Sequence, residues 1–245
     1  MEIQPEINES IVLETPNMSQ EFQKYLLFEN LCDHQAYYES AIRIGERILE
    51  LNPESYWIRH RIAEIYTRLA IDNESKITKE GTSIKLVYLQ YSIKYLMAAL
   101  AAIKTQDPEH QLNEIKSSIL LADNFKMSSN YEKAINYYTI INGKNVIYDD
   151  YCNLMIAECY LGLSDVKKAK EYFCKIDDLE RPLNYYIHRS NLGRAMVAEI
   201  EGSYPEAIKI ITKIFRDCSD SILILKAQQA IERIEKILLT GTKLR

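Results

Sequence analysis

Glycine and proline are scarce, at 7 and 6 residues in a chain of 245, against average usage of roughly 7% and 5%. So few turn-formers exclude the sandwiches, barrels and dinucleotide-binding folds that need tight turns in quantity, and point to helices. Long apolar runs are also missing. The longest, Tyr95 to Ile103, is about half of what crosses a bilayer. The acidic MEIQPEINES start lacks the basic and then apolar character of a secretory leader. An intracellular, cytoplasmic location is expected. Basic excess is absent: a net charge of −5 disfavours a nucleic-acid groove as the main business. The five cysteines (32, 152, 159, 174, 218) are odd in number and form no CxxC pair, which reads as free buried thiols. The four histidines show no HExxH, HxH or Cys/His spacing, so neither metal nor cofactor is expected. No GxSxG, GxxxxGK[ST] or GxGxxG is present. The acidic pairs Asp149-Asp150 and Asp177-Asp178 read as caps and loop charges. No catalytic residues are assigned and no enzymatic activity is expected.

What is present is a period. From Asp150, the residues Ile156, Ala157, Tyr160, Ala169, Phe173 and Ile176 fall at offsets 7, 8, 11, 20, 24 and 27. Small residues at 8 and 20 let two antiparallel helices approach closely, while large ones at the other offsets fill the space beside them. Helix A is expected over about 150–161 and helix B over about 166–176, with Gly162 and Ser164-Asp165 in the turn. The frame recurs from Ile115 (Leu121, Ala122, Phe125, Ala134, Tyr138, Ile141) and from Phe22 (Phe28, Cys32, Ala41, Ile48, Pro53). It recurs in half-units from Tyr56 (Ile62, Ala63, Tyr66) and His188 (Ala195, Ala207, Ile211, Ile214). In the last, Arg194 stands where a large apolar residue belongs, so that helix is expected to be rotated or longer.

These offsets resemble the tetratricopeptide repeat family over about residues 22–217. The resemblance implies an all-α fold, an α-solenoid of about five helix hairpins over 21–218 closed by a capping helix over 219–240; a generic helical bundle is the alternative. Residues 1–20 read as a tail or arm. The second unit is interrupted by a polar insertion at about 71–83, followed by a lengthened helix at about 84–104 that is apolar almost all round and expected to be buried on more than one side. In the capping helix, Ser219 or Asp220 can serve as N-cap, Gly241 can end it, and Ile222, Leu225, Ala230, Ile234 and Leu238 are expected along one side.

In such repeats helix A side chains at offsets 2, 5, 9, 12 and 13 line a groove, since the core takes 4, 7, 8 and 11. That nominates Trp57, His60, Glu64 and Arg68, then Lys116, Ile119, Asp123 and Lys126, then Tyr151, Leu154 and Glu158 as partner-binding residues. Trp57, the sole tryptophan, has the alternative of packing near Pro53. Tyr88, Tyr91 and Tyr95 form a row on the long helix and nominate a subunit contact. The function implied is non-enzymatic: a protein-protein adaptor or scaffold, a subunit of a larger assembly, with one or more proteins as partners and self-association open. The alternatives are an RNA-associated helical repeat, a ciliary or axonemal structural subunit in a cytoskeletal setting, and a co-chaperone. The last is weakened because Asn30 and Lys116 fit a two-carboxylate clamp but Leu26 and Leu120 replace its Lys and Arg.

Overall fold

The computed structural model describes residues 20–79, 81–103, 109–144, 146–176 and 185–240. Residues 1–19 of the expected tail, Gly241 and the Asp177-Asp178 pair lie outside them, while Gln20 already belongs to the first helix. The helices are α1 (Gln20–Cys32), α2 (Tyr38–Leu51), α3 (Tyr56–Asp72), α4 (Ile84–Ala102), α5 (His110–Met127), α6 (Tyr131–Ile141), α7 (Val146–Gly162), α8 (Val166–Cys174), α9 (Tyr185–Ile200), α10 (Tyr204–Asp217) and α11 (Ser221–Thr240). Among the described residues there is no strand, only an isolated bridge between Ile77 and Ser83. No described helix is long and apolar enough to cross a membrane. The chain divides into two compact units, 1–128 and 129–245.

In the first unit α1 packs on α2, α2 on α3, α3 on α4 and α4 on α5. The insertion is a loop between α3 and α4, closed on itself by Thr78 N–H to Thr82 O (2.8 Å) and Ile84 N–H to Lys76 O (3.0 Å). Gly81 takes φ +83° at its tip, a conformation that favours glycine. Beyond it the helix B frame resumes. Ser92, Leu96 and Ala99 carry the spacing of Ala134, Tyr138 and Ile141, and all three are fully buried. Ser92 is thus the small residue opposite Ala63, and its hydroxyl donates to the Ala63 carbonyl (2.8 Å). Around that contact lies a buried polar triad: Asn124 Nδ2 donates to Ser92 Oγ (2.7 Å) and Thr67 Oγ1 to Asn124 Oδ1 (3.1 Å). It ties α3, α4 and α5 together. The long helix is not buried on every side, since Leu86, Tyr91 and Met97 keep exposed faces.

The first hairpin departs from the frame at offset 24, where Gly45 stands instead of Tyr138 or Phe173. A Cβ there would sit 2.7 Å from the Phe28 ring and 2.9 Å from Ile62. The two offset 7 residues of successive units occupy the missing bulk.

In the second unit each helix from α6 to α11 packs on the next, and α9 also meets α7 and α11. Ala157 and Ala169 are both fully buried between α7 and α8. Their turn closes with Asp165 N–H bonding Tyr160 O (2.8 Å), Ser164 taking a left-handed φ of +62°. The Asp165 side chain then caps α8. Helix α9 is longer than the frame requires, and Leu192, Ala195 and Ala198 face the core in place of the half-buried Arg194. Asp220, not Ser219, caps α11, accepting from Ile222 N–H and Leu223 N–H (both 2.9 Å). The expected buried side of α11 needs correction: Leu223, Ala227, Ala230 and Ile234 enter the core, while Ile222, Leu225 and Leu238 are exposed. Leu223, one residue past the expected Ile222, joins the cluster that holds Ala207, Ile211 and Ile214 of α10.

The thiols differ from expectation at one position. Cys32, Cys152, Cys159 and Cys218 are buried but Cys174 is exposed. Burial also pushes the Cys32 thiol up to about 12, so its thiolate is negligible at neutral pH. One thiol is therefore expected to react within minutes with a disulfide reagent such as dithionitrobenzoate in the native state, and all five after unfolding. Two fast thiols in the native protein would contradict the packing.

Candidate functional site

The first unit presents its helix A face through α1, α3 and α5. Trp57 is 40% exposed and reaches sideways to α1, its Nε1–H donating to Glu29 Oε1 (2.7 Å). Its ring stacks on His60 at 6.1 Å, with the Arg61 guanidinium 5.9 Å from its centroid. The place beside Pro53 is taken by Arg59, which donates to the Pro53 carbonyl. His60 is a correction: it is 5% exposed, with Nδ1 2.9 Å from Ser117 Oγ on α5 and Nε2 3.5 Å from Glu64. Arg61 pairs with Glu64, with Asp33 (3.2 Å) and with Glu29 (3.3 Å). Arg68 donates to the Cys32 carbonyl (3.0 Å) and to Asp33 (3.2 Å).

Hydrogen bonds from Arg61 and Arg68 hold the Asp33 carboxyl below the usual aspartate range. Burial alone would raise Glu64, but the bonds from His60 and Arg61 outweigh it and hold it low. The groove offsets thus nominated His60, Glu64 and Arg68 without their partners Glu29, Asp33, Arg61 and Ser117. A signal existed for Glu29, which occupies offset 8 where the other units carry alanine. A carboxylate at a close-packing position has to find a cation. This face closes over its own charges. On α5, Lys116 is exposed while Ile119, Asp123 and Lys126 are half-buried.

The tyrosine row is largely used inside the unit. Tyr88, Tyr91 and Tyr95 surround Tyr66 at ring distances of 6.1, 5.2 and 5.9 Å, and Tyr95 OH donates to Glu46 (2.7 Å) on α2. Burial, with Glu46 close by, pushes the Tyr66 hydroxyl up to about 12. Of the row, Tyr91 alone is exposed.

The helix A face of the second unit is built by α7, α9 and α11 and differs in kind. A groove of about 500 Å³ runs over Leu161, Leu192, Met196 and Leu223, bordered by Glu158, Lys226 and Arg233. Arg189 pairs with Glu158, and Arg233 forks onto Glu199 (3.0 and 3.1 Å). Gly193 and the Phe173 ring form part of its floor. Of the three residues nominated here, Glu158 reaches the groove. Tyr151 lies edge-on between Tyr138 (6.1 Å) and Tyr186 (6.2 Å). Leu154 is a correction: it has no exposed surface, because α7 is covered by α6, α8 and α9. Met196, 40% exposed, was missed, since its unit matches the frame in one half only. Among the described residues no group of three or more potential metal ligands converges.

No family model and no curated protein sequence matches the chain. Among solved structures it is similar to the nearly identical TPR-like repeats of a putative kinesin light chain from Podosopora anserina, at 13% identity and a TM-score of 0.54, covering 92% of this chain and 100% of that one. It is also similar to a thermophilic TPR protein of Thermus thermophilus, at 15% identity and a TM-score of 0.45, covering 86% and 98%. The fold is that of tetratricopeptide-like helical repeats, as the offsets imply.

Proposed function

We propose that the protein is a non-catalytic scaffold that holds a segment of a partner protein along the α7–α9–α11 groove, as a subunit of a larger cytoplasmic assembly. The observation that carries this reading is the contrast between the two helix A faces. Ion pairs and hydrogen bonds cross the first, where Trp57, as exposed as Met196, is itself bound to Glu29, whereas the second leaves Met196 exposed beside Leu161 over an unfilled groove. Apolar surface of this kind, rimmed by Lys226 and Glu158, suits a helix or extended segment that buries apolar side chains in the centre and pairs charges at the edge. A central contact of this type is worth about 2 kcal/mol or more when truncated.

A photo-crosslinking amino acid at position 196 is expected to capture a discrete partner protein in cells. With the cross-linker absent, Met196→Glu should lower co-purification of that same partner with the tagged chain by about tenfold or more, while Lys116→Glu, on the first unit, should not. Equal recovery with Met196→Glu, or cross-links confined to the chain itself, would remove the groove from consideration.

A further inference from the structure

Helix α9 carries polar residues at two offsets where the core takes apolar ones. Counted from His188, Asn191 stands at offset 4 and Arg194 at offset 7. Residues three apart share one side of a helix, and both of these line a groove of about 1070 Å³ between α8, α9 and α10. Asn191 is 5% exposed, yet its side-chain amide has no hydrogen-bond partner among the described residues, and half-buried Arg194 has neither a hydrogen bond nor an ion pair there. A buried amide left unpaired is costly, so it calls for a partner outside the fold. From the other wall α10 contributes Glu206 and Lys209, again three apart, and α8 contributes Cys174, its last residue. Cys174 is the one exposed thiol of the chain. Lys213 and Arg216 also border the groove but are engaged with partners of their own, Arg216 with Asp217.

We infer that this groove is a site of glutathionylation, seating the glutathione tripeptide so that its sulfur meets Cys174. Glutathione carries two carboxylates, one ammonium, two amides and a thiol. The lining answers each of these groups: Arg194 and Lys209 suit the carboxylates, Glu206 the ammonium, and Cys174 the sulfur. Asn191, a donor and an acceptor at once, suits one of the amides. A guanidinium also takes a carboxylate through two parallel bonds, which fixes orientation as well as charge. In the step itself the Cys174 thiolate attacks one sulfur of glutathione disulfide. The bond between Cys174 and that sulfur forms as the original S–S bond breaks, and the second glutathione leaves as a thiolate, which takes up the proton that Cys174 gave up. Glutathione disulfide is thus the oxidant, and reduced glutathione reverses the step. None of this rests on the partner reading of the α7–α9–α11 groove, which Leu192, Gly193 and Met196 of the same helix line.

The test uses the full chain, intact and peptide-mapped mass spectrometry, and three disulfides: glutathione disulfide, dithiodipropionate, which has two carboxylates but no amide or ammonium, and hydroxyethyl disulfide, which is uncharged. Each rate is divided by that of N-acetylcysteine with the same reagent, which removes the intrinsic reactivity of the disulfide. On that scale glutathione disulfide should modify Cys174 about tenfold faster than either comparator, with one adduct per native chain. Asn191→Ala and Arg194→Gln should each lower the glutathione rate several-fold and leave the hydroxyethyl rate unchanged. Asn191→Ala should not lower Tm, since no described residue uses that amide. Cys174→Ser should take up no glutathione in the native state, and Lys226→Glu, on the other groove, should change none of the rates. The inference is overturned if glutathione disulfide shows no preference over both comparators, or if the adduct maps to another cysteine. It is overturned equally if the α9 variants leave all three rates unchanged or slow them alike. Cys174 would then be an exposed thiol and the groove no site for the tripeptide.

Discussion

Gly193→Ala is expected to lower the stability of the second unit by about 2 kcal/mol, although alanine is the better helix former by about 0.8–1.0 kcal/mol. Two effects oppose each other. In an exposed helix interior the propensity gain would decide, and the variant would be more stable. Gly193 instead lies in the middle of α9, and a Cβ there would fall inside contact distance of three atoms of the Phe173 ring, the least close of them at 2.7 Å. Phe173 is 1% exposed, so moving the ring means displacing the residues packed around it. It is also held from behind by its own backbone, whose carbonyl accepts from Ser190 Oγ (2.8 Å). Overpacking of this severity costs typically 1–3 kcal/mol and occasionally more, which exceeds the propensity gain. For a unit of this size 2 kcal/mol corresponds to a fall in Tm of roughly 5–10 °C. Phe173→Leu should cost stability alone yet partly rescue Gly193→Ala, with a coupling of about 1 kcal/mol or more in a double-mutant cycle. A higher Tm for Gly193→Ala would mean that the two helices do not approach as closely as described.

That glycine illustrates which parts of the molecule can be read from residue order. The repeat frame was legible because alanine at offsets 8 and 20 has one physical use, the close crossing of two helices, and its recurrence in register leaves little room for other folds. Gly193 and Gly45 were not legible as packing residues. Each is small because an aromatic or aliphatic side chain from a neighbouring helix fills the space, Phe173 in one case and Phe28 with Ile62 in the other. Nothing local in α9 or α2 announces that. The same limit explains the groove residues. Offset counting finds which side chains leave the core, so it reached Trp57 and Glu158. It does not find what they meet, so the pairing of Trp57 with Glu29 and the burial of His60 against Ser117 were beyond it. Leu154 failed for a related reason. In a helix covered by three others, the offset that faces a groove in an isolated hairpin faces another helix. The insertion left the second unit's lengthened helix B legible as a helix but without a register: Ser92, Leu96 and Ala99 carry the right spacing, but only relative to one another.

Asn124→Asp should be the more severe substitution in the first unit, and its cost should grow with pH. The three side chains form a closed set in which Thr67 Oγ1 also lies 3.0 Å from the Ala63 carbonyl and 2.9 Å from Ser92 Oγ. Asn124 Nδ2 donates to Ser92 Oγ, Ser92 donates to the Ala63 carbonyl, and Thr67 donates to Asn124 Oδ1. All three residues are buried, Asn124 and Ser92 completely. A protonated aspartic acid can reproduce this arrangement, its O–H replacing the amide donor. An ionised one has lost the amide donor: Ser92 has to turn its hydroxyl from the Ala63 carbonyl to the carboxylate, and the charge stays buried with no cation among the triad. Burial of an unpaired charge disfavours the ionised form, so the folded-state pKa of the new carboxyl lies above its unfolded value of about 3.9. The sign follows from linkage. Below about pH 4 both states are protonated and the variant keeps most of its stability. Above it the unfolded chain releases the proton first, and stability falls by about 1.4 kcal/mol per pH unit until the folded carboxyl also ionises. Urea unfolding should therefore show a deficit relative to the parent of about 1–2 kcal/mol at pH 5, rising to more than 3 kcal/mol at pH 7.5. Asn124→Ala, which deletes the donor and adds no charge, should cost about 1–3 kcal/mol at either pH. If the Asn124→Asp deficit were the same at both pH values, the carboxyl would have to reach water, and the close packing of α3, α4 and α5 around Ser92 could not stand.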